Sequence, residues 1–293
     1  MTMPVPEHIP APSGQTLSGQ TLSGQTLSGE EHGALSVPRF QNGQWRSVRD
    51  TVSREETVRI LWEDSLAACS GEIALRAWPF GLESLAMGHA LLHQARKGYP
   101  AFRKAVAARE DTFFRVRLEG PLAPENASGS GTPGPAALFP AALPPSPLSP
   151  GGILRAAREF IEAPGPWDGT GCFHRAGVFV PHSGELLAVA EDIGRHNCID
   201  RLAGWSSGAR FPLENTVLLT SARLTGSLCS LALLAGFRVL VSRSAVTTEA
   251  VRLCRSAGAT LIGFARAGEN RFTLYTDEKG RMAMPPPGDI CGN

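Results

Sequence analysis

Three apolar runs of strand length, separated by amphipathic stretches, dominate the last third of the chain: TVLLTS (216–221), FRVLVS (237–242) and TLIGFA (260–265). Between the first two, Leu224, Leu228, Leu231 and Ala235 recur at helical spacing. Between the second and third, Val246, Ala250, Leu253 and Ala257 do the same. Thr247 is placed to cap the second helix with Glu249 in its first turn, and Gly236 and Gly258 stand where a helix ends in a left-handed residue. This β-α-β-α-β alternation predicts right-handed crossovers and a largely parallel sheet, with NRFTLYT (270–276) as an edge strand. Just upstream, residues 169–204 read as a strand pair followed by a helix.

The first half is patterned more loosely. Thr57–Trp62 alternates as a half-exposed strand, 71–77 gives a second, and 112–118 (TFFRVRL) a third. A helix follows Pro79-Phe-Gly, carried by Leu82, Leu85, Ala86 and Ala90, and another short helix spans 153–162. Residues 1–39 are Pro-rich and then repeat GQTLS, a composition that supplies no core and predicts a disordered tail. Residues 120–152 hold nine prolines, which exclude continuous helix or sheet. The fold class is therefore α/β, with a smaller N-terminal α+β unit over 40–119, a Pro/Gly-rich loop over 120–152, a C-terminal α/β unit over 153–280 and a tail over 281–293.

Composition narrows the function classes. Lys and Arg number 28 against 27 Asp and Glu, a balance that argues against a broad nucleic-acid binder. No apolar run reaches the roughly 18–20 residues that span a bilayer, and no secretory leader is visible. Six scattered cysteines without a C-x-x-C pair suit a reducing compartment, so a cytoplasmic location is expected.

Candidate chemistry gathers in two places. At the carboxyl ends of the predicted parallel strands, where ligands bind in open α/β sheets, stand Arg223, Arg243 and Arg266, an anion site for phosphate or pyrophosphate. At the strand-to-helix junction, Glu191, Asp192, Arg195, His196, Asn197, Cys198, Asp200 and Arg201 fall close together, with Cys172 and His174 upstream. Asp192, His196 and Asp200 step by four, which on a helix would share one face and let a carboxylate orient the imidazole for acid–base work. Cys172 is a candidate nucleophile if an arginine or imidazolium favours its thiolate, whereas Cys229 and Cys254 lie in apolar helices and read as inert. His89 and His93 have the i, i+4 spacing of a metal chelate, but no third ligand is near in sequence, so the reading is two helix histidines and no structural metal. The signatures of zinc deaminases, α/β-hydrolases, P-loop proteins and H-E-x-x-H metalloproteases are absent.

The segments TGCFHRAGVF, EDIGRHNCIDRLAG, SARLTGSLCSLALLAG, SRSAVTTEAV and GATLIGFARAG follow one another as in the formate dehydrogenase accessory sulfurtransferase family, FdhD. Trp78–Gly88 (WPFGLESLAMG) resembles that family's T-P-x-D-L-E-E-L-A-x-G helix, and the likeness covers about residues 45–278. It implies that the chain takes sulfur as a persulfide from a cysteine desulfurase. The sulfur would pass to the bis-guanine-dinucleotide molybdenum or tungsten cofactor of formate dehydrogenase, carried as cargo. It also implies a homodimer and a C-terminal three-layer domain similar to the cytidine deaminase fold without its zinc. The family's cofactor-contacting segment would fall on Phe264, Ala265, Arg266, Ala267, Gly268 and Glu269, with Arg223, His174 and Arg195 beside it.

One departure bears on mechanism. The family's persulfide cysteines lie in a C-G-x-C-G loop, and the corresponding stretch here, Gly129–Gly134, puts Ser130 and Pro133 where they would stand. Neither can carry a persulfide. Three readings follow: sulfur transfer through another thiol such as Cys172, a cofactor-binding chaperone without sulfurtransferase activity, or an acid–base enzyme using His196 and Asp192.

Overall fold

In the N-terminal half, alternating apolar side chains build one small sheet, beside an exposed hairpin. The computed structural model describes residues 20–21, 32–64, 69–94, 102–121, 148–181 and 184–285. The first strands are β1 (Gln20–Thr21), β2 (His32–Gln41) and β3 (Gln44–Ser53). β2 and β3 form an antiparallel hairpin whose turn residues, Asn42 and Gly43, both take positive φ as a tight two-residue turn requires. Two residues of the GQTLS repeat thus pair in β1, and the hairpin begins at His32, ahead of the tail boundary expected at residue 39. Next come β4 (Glu56–Asp64), β5 (Cys69–Ala77), helix α1 (Leu82–His89), β6 (Phe102–Arg109) and β7 (Phe114–Pro121). The four strands pair in the order β5-β4-β7-β6. Val58, Ile60, Val116 and Leu118 of this sheet pack against Leu82, Leu85 and Ala86 of α1. A π turn, Ala90–Gln94, continues α1.

The C-terminal half holds the expected parallel core. Helix α2 (Pro150–Glu162), capped by Ser149, starts three residues earlier than its apolar pattern suggested. A short α3 (Trp167–Thr170) precedes β8 (His174–Val180), β9 (Glu185–Asp192) and α4 (Arg195–Ala209). Then β10 (Val217–Thr220), α5 (Gly226–Leu234), β11 (Val239–Ser242), α6 (Thr248–Ser256), β12 (Thr260–Arg266) and β13 (Arg271–Thr276) follow. The sheet runs β1-β9-β8-β10-β11-β12-β13, with β10, β11 and β12 parallel and β13 antiparallel at its edge.

Strand alternation sorts this core onto two faces. Leu218, Leu240 and Leu261 face α4, α5 and α6, together with Ile199, Leu202, Leu228 and Cys254. Val217, Leu219, Val239, Val241 and Ile262 face α2, packing on Ile153, Ala156 and Phe160. The result is three layers, helices on both sides of one sheet. Thr225 and Thr247 cap α5 and α6 by accepting from the Leu228 and Ala250 amides.

The halves meet where α1 crosses α4. Gly88 and Gly204 make the crossing possible: a methyl on Gly88 would overlap the Asp200 carbonyl, and one on Gly204 the Ser84 carbonyl. No described helix is long and apolar enough to cross a membrane.

Candidate functional site

The strand-to-helix junction is organised differently from its spacing in sequence. Asp192 is the last residue of β9, and extended Gly194 separates it from α4, which begins at Arg195. The shared helical face expected for Asp192, His196 and Asp200 therefore does not form. The Asp192 carboxylate is buried and accepts from the Gly194 amide (2.9 Å), Asn197 Nδ2 (2.8 Å), the Trp78 amide (3.3 Å) and two Arg201 nitrogens (2.9 and 2.6 Å). Arg201 in turn donates to the carbonyls of Trp78, Phe80 and Gly81. With its lone pairs taken, Asp192 holds the Trp78–Gly81 loop against α4 and does not orient His196. His196 lies 3.2 Å from Ser227 Oγ, and Asp200 turns to His89 and His93.

Glu191, one residue earlier, points to the opposite face of the sheet. There it pairs with buried Arg175 at 2.7 Å, and Arg175 donates to the carbonyls of Phe160, Ile161 and Ala163, closing the end of α2. Burial pushes the Glu191 carboxyl above the ordinary range, and the Arg175 guanidinium opposes that shift. Two adjacent acidic residues thus brace two layers of the fold.

The groups left for a ligand are mostly cationic. His174, half-buried at the start of β8, has its imidazolium disfavoured by burial first and next by the Arg195 guanidinium. Arg223 acts in the same direction, and Asp192 opposes. His196 is lowered by burial and then by Arg195, with Asp200 opposing. Arg195 and Arg223 are exposed. The structure therefore brings His174, Arg195, His196 and Arg223 into one electropositive cluster beside the ends of β8 and β10.

The thiols sort by burial. Cys172 is exposed while the next residue, Phe173, is buried edge-on against Trp78 at 5.3 Å. The Cys172 amide donates to Thr170 Oγ1 at 3.3 Å, and Thr170 Oγ1 lies 2.6 Å from Ser53 Oγ of the hairpin. Cys198 donates to the His174 carbonyl at 3.4 Å, and its pKa is pushed well above the usual thiol value, chiefly by burial. Cys229 and Cys254 are buried, and the Cys229 thiol is pushed upward by the hydrogen bond with Cys254 and by desolvation.

At the other side of the strand ends, β12 ends on a distorted segment. Phe264 has φ 51°, a left-handed conformation uncommon for an aromatic residue, and its amide donates to the Ser244 carbonyl at 2.9 Å. Arg266 and Arg271 lie over its ring at 5.6 and 5.7 Å. Arg266 also pairs with Glu269 at 2.8 Å, and Arg271 with Glu269 at 2.5 Å. These two arginines, Arg271 first, hold the Glu269 carboxyl below its ordinary range. Ala265 is buried, while Ala267 and Gly268 form the short turn before β13. Arg243 lines a crevice with Ala157, Phe160, Thr220 and Ala265 on the α2 side.

Comparison with known proteins decides the family. The family model described as the FdhD/NarQ family matches residues 55–282. The chain belongs to the FdhD/NarQ family. Among curated members, the "Sulfur carrier protein FdhD" of Streptomyces avermitilis is 40% identical over 129 residues, covering 41% of this chain and 43% of that protein. The protein of the same name from Sulfolobus acidocaldarius is 38% identical over 125 residues, 42% of this chain and 48% of that protein. The chain thus spans under half the length of these two relatives. A crystal structure from Desulfotalea psychrophila, described as a formate dehydrogenase accessory protein, shares the fold. Its TM-score is 0.65 at 21% identity, covering 86% of this chain and 99% of that one.

Within this FdhD/NarQ member, Ser130 and Pro133 lie outside the described residues. Sequence spacing gave the His89–His93 pair but missed Asp200 as its third member, because Asp200 lies more than 100 residues away in the chain. It also missed Arg271, whose place over Phe264 depends on the β12–β13 turn.

Proposed function

We propose that this chain is an accessory protein for formate dehydrogenase that binds the bis-guanine-dinucleotide form of the molybdenum or tungsten cofactor and delivers it to the enzyme. The observation that carries this reading is the pairing of two features at the ends of the parallel strands. One is the cationic cluster of His174, Arg195 and Arg223, suited to pyrophosphate oxygens. The other is the Phe264–Glu269 segment. There an aromatic face flanked by two guanidinium groups suits a base. Glu269, held ionised at neutral pH by Arg271 and Arg266, offers an acceptor for the N–H edge of guanine. The nucleotide ends of the cargo would be gripped here by electrostatics, with His174 gaining a proton as phosphate approaches. A cytoplasmic homodimer is part of the same proposal.

Sulfur transfer is a second reading, favoured by the exposure of Cys172, two residues before His174 in the chain. Its thiolate would attack the outer sulfur of a cysteine desulfurase persulfide, forming a Cys172 persulfide and releasing the desulfurase thiolate. Acid–base catalysis by Asp192 and His196 loses its geometric basis, since Asp192 is committed to Arg201 and Asn197.

The test is restoration of formate dehydrogenase activity in a host deprived of its own accessory protein. The wild-type chain restores activity, and Arg223→Ala with Arg266→Ala abolishes it. Full activity with Cys172→Ser assigns delivery without sulfur passing through that thiol, whereas its loss assigns Cys172 the carrier role. Failure of the wild-type chain to restore activity, although folded and present, defeats the proposal.

A further inference from the structure

The third buried carboxylate of α4 and β9 is neutralised unlike the other two. Glu191 and Asp192 each face an arginine, whereas Asp200, 2% exposed, has no Arg or Lys partner among the described residues. Its two oxygens instead meet two imidazoles: Oδ2 lies 3.1 Å from His89 Nδ1, and Oδ1 lies 3.1 Å from His93 Nε2. A buried carboxylate is costly without a compensating positive charge, and an ion held by these same side chains supplies one.

The fold goes to some length to assemble the trio. His89 ends α1 and His93 lies in the π turn that continues it, a local widening frequent at functional sites. Their rings stack at 4.3 Å with 22° between planes. Asp200 comes from α4, brought within reach because Gly88 and Gly204 let the two helix backbones touch. One donor atom from each residue lies within 4.8 Å of the others. Ion–ligand bonds of about 2.0–2.2 Å in a tetrahedral site place donors roughly 3.3–3.6 Å apart, a spacing that donors within 4.8 Å of one another reach by side-chain rotation. The His93 side chain is 36% exposed, which gives an ion an entry path and leaves a coordination position to water.

We propose that His89, His93 and Asp200 bind a divalent first-row transition metal ion of zinc type, clipping α1 of the N-terminal unit to α4 of the C-terminal unit. Two neutral imidazoles and a carboxylate match the borderline donor preference of Zn(II) and Co(II), rather than the all-oxygen sets of Mg(II) and Ca(II). The bound ion supplies the charge Asp200 lacks. It also fixes the helix that carries His196, whose protonation already responds to Asp200 and His93. Metal uptake at this site is read without nucleotide, so its test stands apart from that of the strand ends.

The full chain, stripped with chelator, is titrated with Co(II) alone and then with Zn(II). One equivalent of Co(II) produces the visible bands of a low-symmetry four-coordinate ion, Zn(II) displaces it, and the thermal midpoint rises with Zn(II). His93→Ala, half-exposed and checked for native circular dichroism, weakens binding by about 100-fold or more, and near-isosteric Asp200→Asn does the same. Cys172→Ser leaves binding intact. The proposal is overturned if the stripped protein takes up no stoichiometric Co(II) or Zn(II). It is equally overturned if folded His93→Ala binds as tightly as wild type, or if the Co(II) spectrum shows a thiolate band that vanishes in Cys172→Ser.

Discussion

Arg201 and Asp192 form a buried bidentate ion pair at 2.9 and 2.6 Å, and Arg201 extends it to the carbonyls of Trp78, Phe80 and Gly81. The carboxylate at the end of β9 is therefore the fastener between the two halves of the chain. Removing one partner strands the other: Arg201→Ala leaves a buried carboxylate without its cation and takes a donor from the Trp78 and Phe80 carbonyls. The expected loss is about 3–5 kcal/mol of unfolding free energy, read from urea denaturation. A loss below about 1 kcal/mol would show that the pair is not the fastener.

The α1–α4 crossing makes an opposite pair of predictions for two glycines. Gly88→Ala places a methyl against the Asp200 carbonyl and costs roughly 1–3 kcal/mol or more, because backbone must shift. Gly208→Ala, on α4 with open space around it, is neutral or stabilising by up to about 1 kcal/mol through helix propensity. Thermal unfolding lowers the midpoint of Gly88→Ala and leaves that of Gly208→Ala unchanged or raised; a comparable lowering in both contradicts the packing described.

Thiol reactivity separates the cysteines. In the native protein, iodoacetamide modifies Cys172, while Cys198, Cys229 and Cys254 react only after unfolding. Peptide mapping by mass spectrometry assigns each site. Native-state labelling of Cys198 at the rate of Cys172 contradicts its burial under the β9–α4 junction.

The two lowered histidines set a pH dependence. Burial and Arg195 depress both His174 and His196, so their NMR titration midpoints fall below the ordinary value of about 6.5. Their neutral forms favour the folded state above that pH, and this contribution is lost as pH falls through the depressed folded values. An anionic ligand at the cluster reverses the effect, so guanosine diphosphate moves the His174 midpoint upward. A midpoint for His174 at or above about 6.5 in the free protein contradicts the cationic environment.

Much of the fold was legible because short-range pattern and topology coincide. The runs at 216–221, 237–242 and 260–265 became β10, β11 and β12 in a parallel array, with Thr247 as the cap of α6. The β2–β3 hairpin was missed, although Gln41-Asn-Gly-Gln44 carries the turn signal, because a two-sided exposed ribbon has no apolar alternation to read. The site was legible by composition and not by geometry. Spacing by four suggested Asp192 with His196 on a helix, and Gly194 ended the strand between them. Asp192 was taken by Asn197 and Arg201 of α4 and by the Trp78 amide, and Asp200 by His89 and His93, the last three from 100 or more residues away. Phe264 and Arg266 were reached through the ends of predicted strands, where topology rather than periodicity points to a ligand.

The central claim is that the strand ends grip a guanine nucleotide, and titration calorimetry with guanosine diphosphate tests it most directly. Wild-type protein is expected to bind, Arg266→Ala to bind at least about 10-fold more weakly by loss of a charge-assisted contact, and Arg223→Ala to show a comparable loss. No detectable heat with the folded wild-type chain, or wild-type affinity in both variants, would contradict the account.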